Sequence, residues 1–186
     1  MSLELRGRVE SVHAGGLLHL SKEEQESVFV HLDGFEGDKH RGFTRKADSR
    51  NRSYPRGTEM RNDRMWSGVS MEELRIIDQA MGIRGLAAAT LGANICVSGI
   101  PRFSDLSKGS KLLFPHGAVL VVEGYNEPCT QAGEEIVRVH SGEHVKPNHF
   151  PKAAKSTRGV VGVVERPGNI CKGDIVTVIV HDPERY

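Results

Sequence analysis

Among the residue types here that can do chemistry, cysteine occurs three times, and one of its occurrences has an informative setting. Cys129 lies in HGAVLVVEGYNEPCTQAG, the stretch from His116 to Gly133. Ala118 to Val122 reads as a buried strand that ends at Glu123-Gly124. Tyr125-Asn126-Glu127-Pro128 then leads to the sulfur, and Thr130, Glu134 and Glu135 follow as a helix start would. A thiol at such a strand-to-helix turn faces unpaired N–H groups and the positive end of the helix dipole, and both favour its thiolate. That thiolate would carry sulfur or ligate a soft metal. The competing reading is a small buried hydrophobe, the usual fate of a free cysteine.

Cys96 and Cys171 lie far along the chain from Cys129, and no pair has C-x-x-C spacing. Neither a disulfide framework nor a sequence-local zinc knuckle is indicated, and a reducing cytoplasm is the expected compartment. The spacing His140-x3-His144-x4-His149 invites a zinc site, but Gly142 and Pro147 deny it a regular helical face. Histidines turned to solvent are the alternative. Lys39 to Arg64 holds nine Lys/Arg (Lys39, Arg41, Arg45, Lys46, Arg50, Arg52, Arg56, Arg61, Arg64) against Asp48, Glu59 and Asp63, in a chain of formal net charge +1. With almost no apolar periodicity it reads as a long, partly mobile loop, inserted at about residues 43–66. Loops of that length are commonly functional. This one would clamp a phosphate-bearing ligand, touch nucleic acid, or hang solvated.

The elements that must position these groups are short and glycine-punctuated. LRGRVESVHA reads as an opening strand around Leu5, Val9 and Val12, and Ser27–Asp33 alternates as a second. Ser21-Lys22-Glu23-Glu24 has capping-box form over a single turn. Ser70 and Glu73 have the same spacing ahead of the stripe Leu74, Ile77, Met81, so a helix runs from there to Gly82, its acids stabilising the first turn. Leu91–Val97 is a turn entering a strand, and Lys111–Phe114 with Ala118–Val122 forms a hairpin. Pro151–Thr157 makes a helical turn or two and delivers Arg158-Gly159. Val160–Val164 is a core strand, Glu165–Gly168 a turn, Cys171 lies in a turn, and Ile175–Val180 is the last strand.

At 186 residues the chain fits one domain with a core that needs no disulfide staples. No apolar run approaches the roughly 20 residues that span a bilayer. The start MSLELRGRVE lacks the basic and apolar regions of a signal peptide. Repeats, a phosphate-loop consensus and a nucleophile-elbow serine are absent from the sequence, as are flavin, haem and iron–sulfur motifs.

Four stretches, LDGFEGDKHRG, LGANICVSG, NEPC and RGVVGVVERPGNICKGDIVTV, occur in this order around one Pro-Cys. In order and separation they resemble the MOSC family, the domain at the C-terminus of molybdenum cofactor sulfurases that also occurs alone in small bacterial proteins. The resemblance runs from about Leu5 to Val180. It implies a mainly β fold, a MOSC-type β-barrel with a few short peripheral helices. It also implies binding of molybdenum cofactor (molybdopterin) or a related pterin-type ligand, with the cysteine beneath it carrying a persulfide or ligating molybdenum. Only Cys129 matches that cysteine. By motif, Asp38 and His40 with neighbouring Arg41, then Asn94 and Arg158, are placed around the ligand. Arginines suit a phosphate, an asparagine suits a pterin edge, and Asp38 holds the loop or orients His40 rather than doing acid–base work.

Two features depart from the family's pattern: the basic stretch is longer than expected, and there is no pyridoxal-phosphate desulfurase domain. Sulfur must then come from a partner such as a cysteine desulfurase. The leading expectation is a sulfur carrier for metal–sulfur cofactor assembly with Cys129 as acceptor. An alternative is a molybdenum-dependent reductase component that detoxifies N-hydroxylated bases with electron-transfer partners. A third is a non-catalytic anion- or nucleic-acid-binding module. Nucleic acid is disfavoured because only Phe43 and Tyr54 interrupt the basic run as stacking platforms.

Overall fold

The computed structural model describes residues 3–49, 51, 53–141 and 144–182; Arg50, Arg52 and Gly142 lie outside the described residues. In chain order its elements are β1 (Glu4–Ala14), β2 (Glu23–Gln25), β3 (Ser27–His31), β4 (Gly34–Phe35), β5 (Thr44–Lys46), β6 (Glu59–Arg61), β7 (Trp66–Ser70) and α1 (Met71–Met81). There follow β8 (Ile95–Ser98), a single 3-10 turn (Phe103–Asp105), β9 (Lys111–Leu113), β10 (Val119–Tyr125), α2 (Thr130–Val139) and α3 (His149–Ala153). Last come β11 (Val160–Arg166), β12 (Gly168–Cys171) and β13 (Ile175–Ile179).

Seven strands close into a barrel in the order β13-β9-β10-β11-β7-β8-β1, with β1 pairing back onto β13. Each strand turns alternate side chains inward, as the two-residue pleat requires. Leu120 and Val122 of β10, Leu112 of β9, and Val176 and Val178 of β13 are fully buried, and each contributes about 1.5–3 kcal/mol relative to exposure. The expected hairpin is present, with Val119 opposite Leu113 and Val121 opposite Lys111. Trp66 fills the barrel, and its indole N–H donates to the Val163 carbonyl at 3.0 Å. β7 and β8 run parallel, so the chain needs a crossover between them, and α1 supplies it.

α1 begins where its cap dictates. The Ser70 side chain accepts the Glu73 N–H, and Gly82 ends the helix in left-handed conformation at φ 69°. Leu74, Ile77 and Met81 are buried with Ala132 and Ile136 of α2 and Phe150 of α3, forming a second core on the barrel's flank. Among the described residues no helix is long and apolar enough to cross a membrane.

Four expectations need correction. Ser21–Glu24 is no helical turn: Glu23 opens β2 against β1, and the Ser21 hydroxyl is taken by Glu135 of α2. The basic stretch is no structureless loop, because β5 and β6 pair as a hairpin, Thr44 opposite Arg61 and Lys46 opposite Glu59. Gly168–Cys171 is a strand, β12, paired with β3. The acids of α1 also reach beyond their own turn: Glu72 accepts the Gly99 N–H at 2.8 Å, and Glu73 takes the Ser104 N–H and hydroxyl at 2.9 and 2.8 Å.

Candidate functional site

A cleft of about 420 Å³ opens at the end of the barrel where β10 runs out towards α2. Trp66 and Ser67 of β7 and Val161 of β11 reach its base. One wall carries Asn126, Glu127, Cys129 and Gln131. The other carries Lys39, His40 and Arg41, then Thr44, Arg45 and Lys46 of β5, and Asn62 and Arg64 beyond β6. Leu91, Gly92 and Arg158 complete it. The hairpin that looked like an insertion is therefore one side of the cavity.

Cys129 occupies the N-cap position of α2, at φ −130° and ψ 160°, and no side chain caps that helix. The thiol is half-buried, packed on the flanking core from one side and lining the cleft from the other. α2 is seated by close backbone contact: a Cβ at Gly133 would lie 2.0 Å from the Pro147 carbonyl oxygen, so the 146–148 segment passes directly over the helix. Cys96 is buried in β8, and burial pushes its thiol up to about 12, so it is inert at neutral pH.

Six lining side chains are cationic: Lys39, Arg41, Arg45, Lys46, Arg64 and Arg158, against Asp48 and Glu127. Several are held by their neighbours. Arg45 donates to Asp63 and to Asn51, each at 2.9 Å, Arg41 to Asp33 at 2.9 Å, and Arg64 to Asn126 at 2.6 Å. Arg158 is buried, donates to the Leu91 carbonyl at 2.7 Å, and stacks over the Phe150 ring at 5.9 Å. The chain then turns through Gly159 at φ +87°, where a Cβ would lie 1.9 Å from the Gly68 carbonyl oxygen. Only glycine lets β11 start so close to β7 after presenting this arginine.

Behind the His40 wall lies a polar knot. The Asp38 carboxylate receives the Lys22 ammonium at 2.7 Å, the Asn94 amide at 3.0 Å and the His40 N–H at 2.9 Å, and the His40 ring Nδ1 is 3.2 Å away. Both ion-pair side chains are fully enclosed. Burial pushes the carboxyl up, but His40 and Lys22 outweigh it and hold Asp38 below the usual carboxylate range. Burial lowers Lys22, with Asp38 opposing. It also lowers His40, with the Asp38 hydrogen bond opposing, which favours the uncharged ring. With Nδ1 turned to the knot, the partly exposed ring offers its other edge to the cleft.

Of the residues read from sequence, Cys129, His40, Arg41 and Arg158 share the cleft. Asp38 and Asn94 do not line it. Asn94 is fully buried and joins three segments, accepting the Ser67 N–H and donating to the His13 carbonyl and to Asp38. His140, His144 and His149 do not bring their ring nitrogens together. Sequence reasoning missed Lys22, Asn62 and Asn126 as members of the site, and took Arg64 only as one of nine cations in the basic stretch. Asn62 clips the hairpin to the glycine-rich loop by donating to the His40 and Gly42 carbonyls, each at 2.8 Å. Asn126 stood in the NEPC motif and Arg64 closed the basic stretch read as a candidate phosphate clamp, so these two carried a signal.

A family model described as MOSC domain matches residues 55–177. YuaD of Bacillus subtilis strain 168, named as a putative metal-sulfur cluster biosynthesis protein, is 36% identical over 174 residues, 94% of this chain and 91% of that protein. The YuaD crystal structure superposes with a TM-score of 0.94 at 35% identity, covering 98% of this chain and 100% of that one. YiiM of Geobacillus stearothermophilus (TM-score 0.63, 16% identity, 95% of this chain and 75% of that one) and YiiM of Escherichia coli (0.60, 14%, 94% and 71%) share the fold. With the barrel, the flanking helices and these matches in agreement, the chain belongs to the MOSC domain family.

Proposed function

We propose that this protein is a sulfur carrier in metal–sulfur cofactor assembly, with Cys129 as the acceptor and the cationic cleft as the seat of a phosphate-bearing pterin of the molybdenum-cofactor type. The observation that carries the reading is a half-buried thiol sharing one cleft with Arg45, Arg64 and Arg158. The donor set fits such a ligand. Guanidinium groups suit a phosphate, the Asn126 amide suits a heterocycle edge, and a thiolate suits molybdenum. When bound, the cofactor would supply a metal centre that accepts sulfur. The name of the relative YuaD points to the same metal–sulfur chemistry.

The residues of this chain supply the first half of the reaction. The Cys129 thiolate attacks the terminal sulfur of a persulfide carried by a cysteine desulfurase. A new S–S bond forms on Cys129, the donor's S–S bond breaks, and its electron pair leaves with the donor thiolate. No external oxidant or reductant is required. His40, with its outer ring edge on the cleft, is placed to accept a proton, and the arginines hold an anion over the site.

Incubation with a cysteine desulfurase and cysteine, followed by mass spectrometry, should find the added sulfur on Cys129, absent from C129S. Label confined to Cys96 or Cys171 would overturn the assignment. Stoichiometric molybdenum with reductase activity and no sulfur labelling would replace it with the reductase reading.

A further inference from the structure

The other end of the barrel carries a second group of metal-ligating side chains. His116 stands in the turn between β9 and β10, Cys171 ends β12, and Asp174 lies in the turn that enters β13. One ligating atom from each falls within 4.8 Å of the other two. β10 separates this cluster from the Cys129 cleft: His116 precedes its first residue and the cleft begins beyond its last, roughly 20 Å away at about 3.3 Å per residue. We infer that His116, Cys171 and Asp174 form a binding site for one borderline-soft divalent cation of the zinc class, distinct from the Cys129 site.

Three lines of geometry carry this. First, the distances suit a tetrahedral ion. Bonds of about 2.0–2.3 Å place neighbouring tetrahedral ligands roughly 3.3–3.7 Å apart. His116 Nε2 and Asp174 Oδ1 are 3.4 Å apart, which is long for a hydrogen bond and right for two ligands of one metal. Second, the carboxylate is already oriented. Asp174 Oδ2 accepts the Cys171 N–H at 2.9 Å, which leaves Oδ1 towards His116, as backbone donors commonly fix a ligating carboxylate. The Asp174 side chain is only 9% exposed.

Third, the three segments are tied to one another by backbone. Gly173 N–H donates to Val9, the Val9 N–H to Asp174, and the Lys172 N–H to Glu26. Gly117 bridges to Asn169, and a Cβ on Gly168 would lie 2.6 Å from the His116 carbonyl oxygen. An ion pair between His116 and Asp174 would account for two of the three groups but not for a thiol facing the same point. Sulfur, imidazole nitrogen and carboxylate oxygen together are a zinc or cobalt donor set, and with three protein ligands the fourth position is left to water or an added thiol.

Binding would replace the thiol proton of Cys171 by the metal and release it to solvent. The full chain, stripped with a chelator, is titrated with Co(II). One equivalent should give a near-ultraviolet thiolate-to-cobalt charge-transfer band with the intense visible bands of four-coordinate cobalt, bleached by Zn(II). C171S should abolish the charge-transfer band, and H116A, a change at an exposed ring, should weaken Co(II) at least ~10-fold. C129S should keep the wild-type titration. Zn(II) should also slow alkylation of Cys171 in the wild type and not in H116A. The proposal is overturned by a band that survives C171S or vanishes in C129S, by unchanged affinity in H116A, or by no saturable binding. None of these outcomes bears on sulfur labelling of Cys129.

Discussion

Asp38 beside the cleft and Glu73 under the far flank are equally buried carboxylates, 7% and 6% exposed, yet they carry charge on opposite terms. Asp38 has a cation, the enclosed Lys22, besides two N–H donors and a histidine, and these hold its carboxyl down against burial. Glu73 has only the N–H and hydroxyl of Ser104 and the cap at Ser70, so burial wins and raises it. Depth is therefore not what sets the charge at these sites. The cleft side carries a compensated charge that positions His40; the flank carries a carboxyl held by neutral donors alone, where burial disfavours the charge.

The largest break in that comparison is Lys22→Met. It strands the Asp38 carboxylate in a dry interior, and loss of one partner of a buried pair costs about 3–5 kcal/mol. Urea melts at neutral pH should show it, and adding Asp38→Asn should recover part of the loss. A single-mutant penalty near zero would mean that the pair is not enclosed in solution.

Next in size is a third buried ionisable group, which extends the comparison to a base. His13 is 2% exposed, and burial lowers it from 6.5 to about 4. Between those values the unfolded chain binds the proton and the folded chain does not. Stability is thus complete above about pH 6.5 and is lost as pH falls through about 4, by roughly 3 kcal/mol at most. Thermal melts across that range should lose this limb in His13→Gln. Asp38 adds a further loss only below the ordinary carboxylate range.

Smallest is Glu73→Gln. The amide keeps one acceptor and puts a donor against the Ser104 hydroxyl, so the change at pH 7 should lie within ~1 kcal/mol and be neutral or slightly stabilising. A raised carboxyl costs stability as pH climbs past its ordinary value, so the variant should also flatten that slope. A loss as large as that from Lys22→Met would show Glu73 to be as dependent on its charge as Asp38.

The same contrast explains what the sequence disclosed. Glu73 was legible because Ser70 lies three residues away and the helix writes its cap locally; its bond to Ser104 was not, because nothing in one segment names the other. Cys129 at a strand-to-helix junction was legible from the apolar run before it and the acids after it. Lys22 was read into a helical turn because its partner, Asp38, lies across a strand and a turn. The basic hairpin escaped for a related reason. β5 and β6 are three residues each, too short to show alternation, and they are secured by Asn62, Asp63 and Asn51 through contacts that have no period. Arg158 and Asn94 came from motif alone, and motif could not say that one faces the cleft while the other is buried behind it.

Closure of the barrel by β1 on β13 pairs Glu4 with Ile179 and Leu5 with Val178, the earliest strand with the last. Such distant pairings are slow to form, because the loop entropy is lost before the contact is gained. A nascent chain emerging from the ribosome must hold that edge of β1 unpaired until β13 has appeared. Until then that edge is open to stray strands, which makes this seam the step most exposed to aggregation during synthesis.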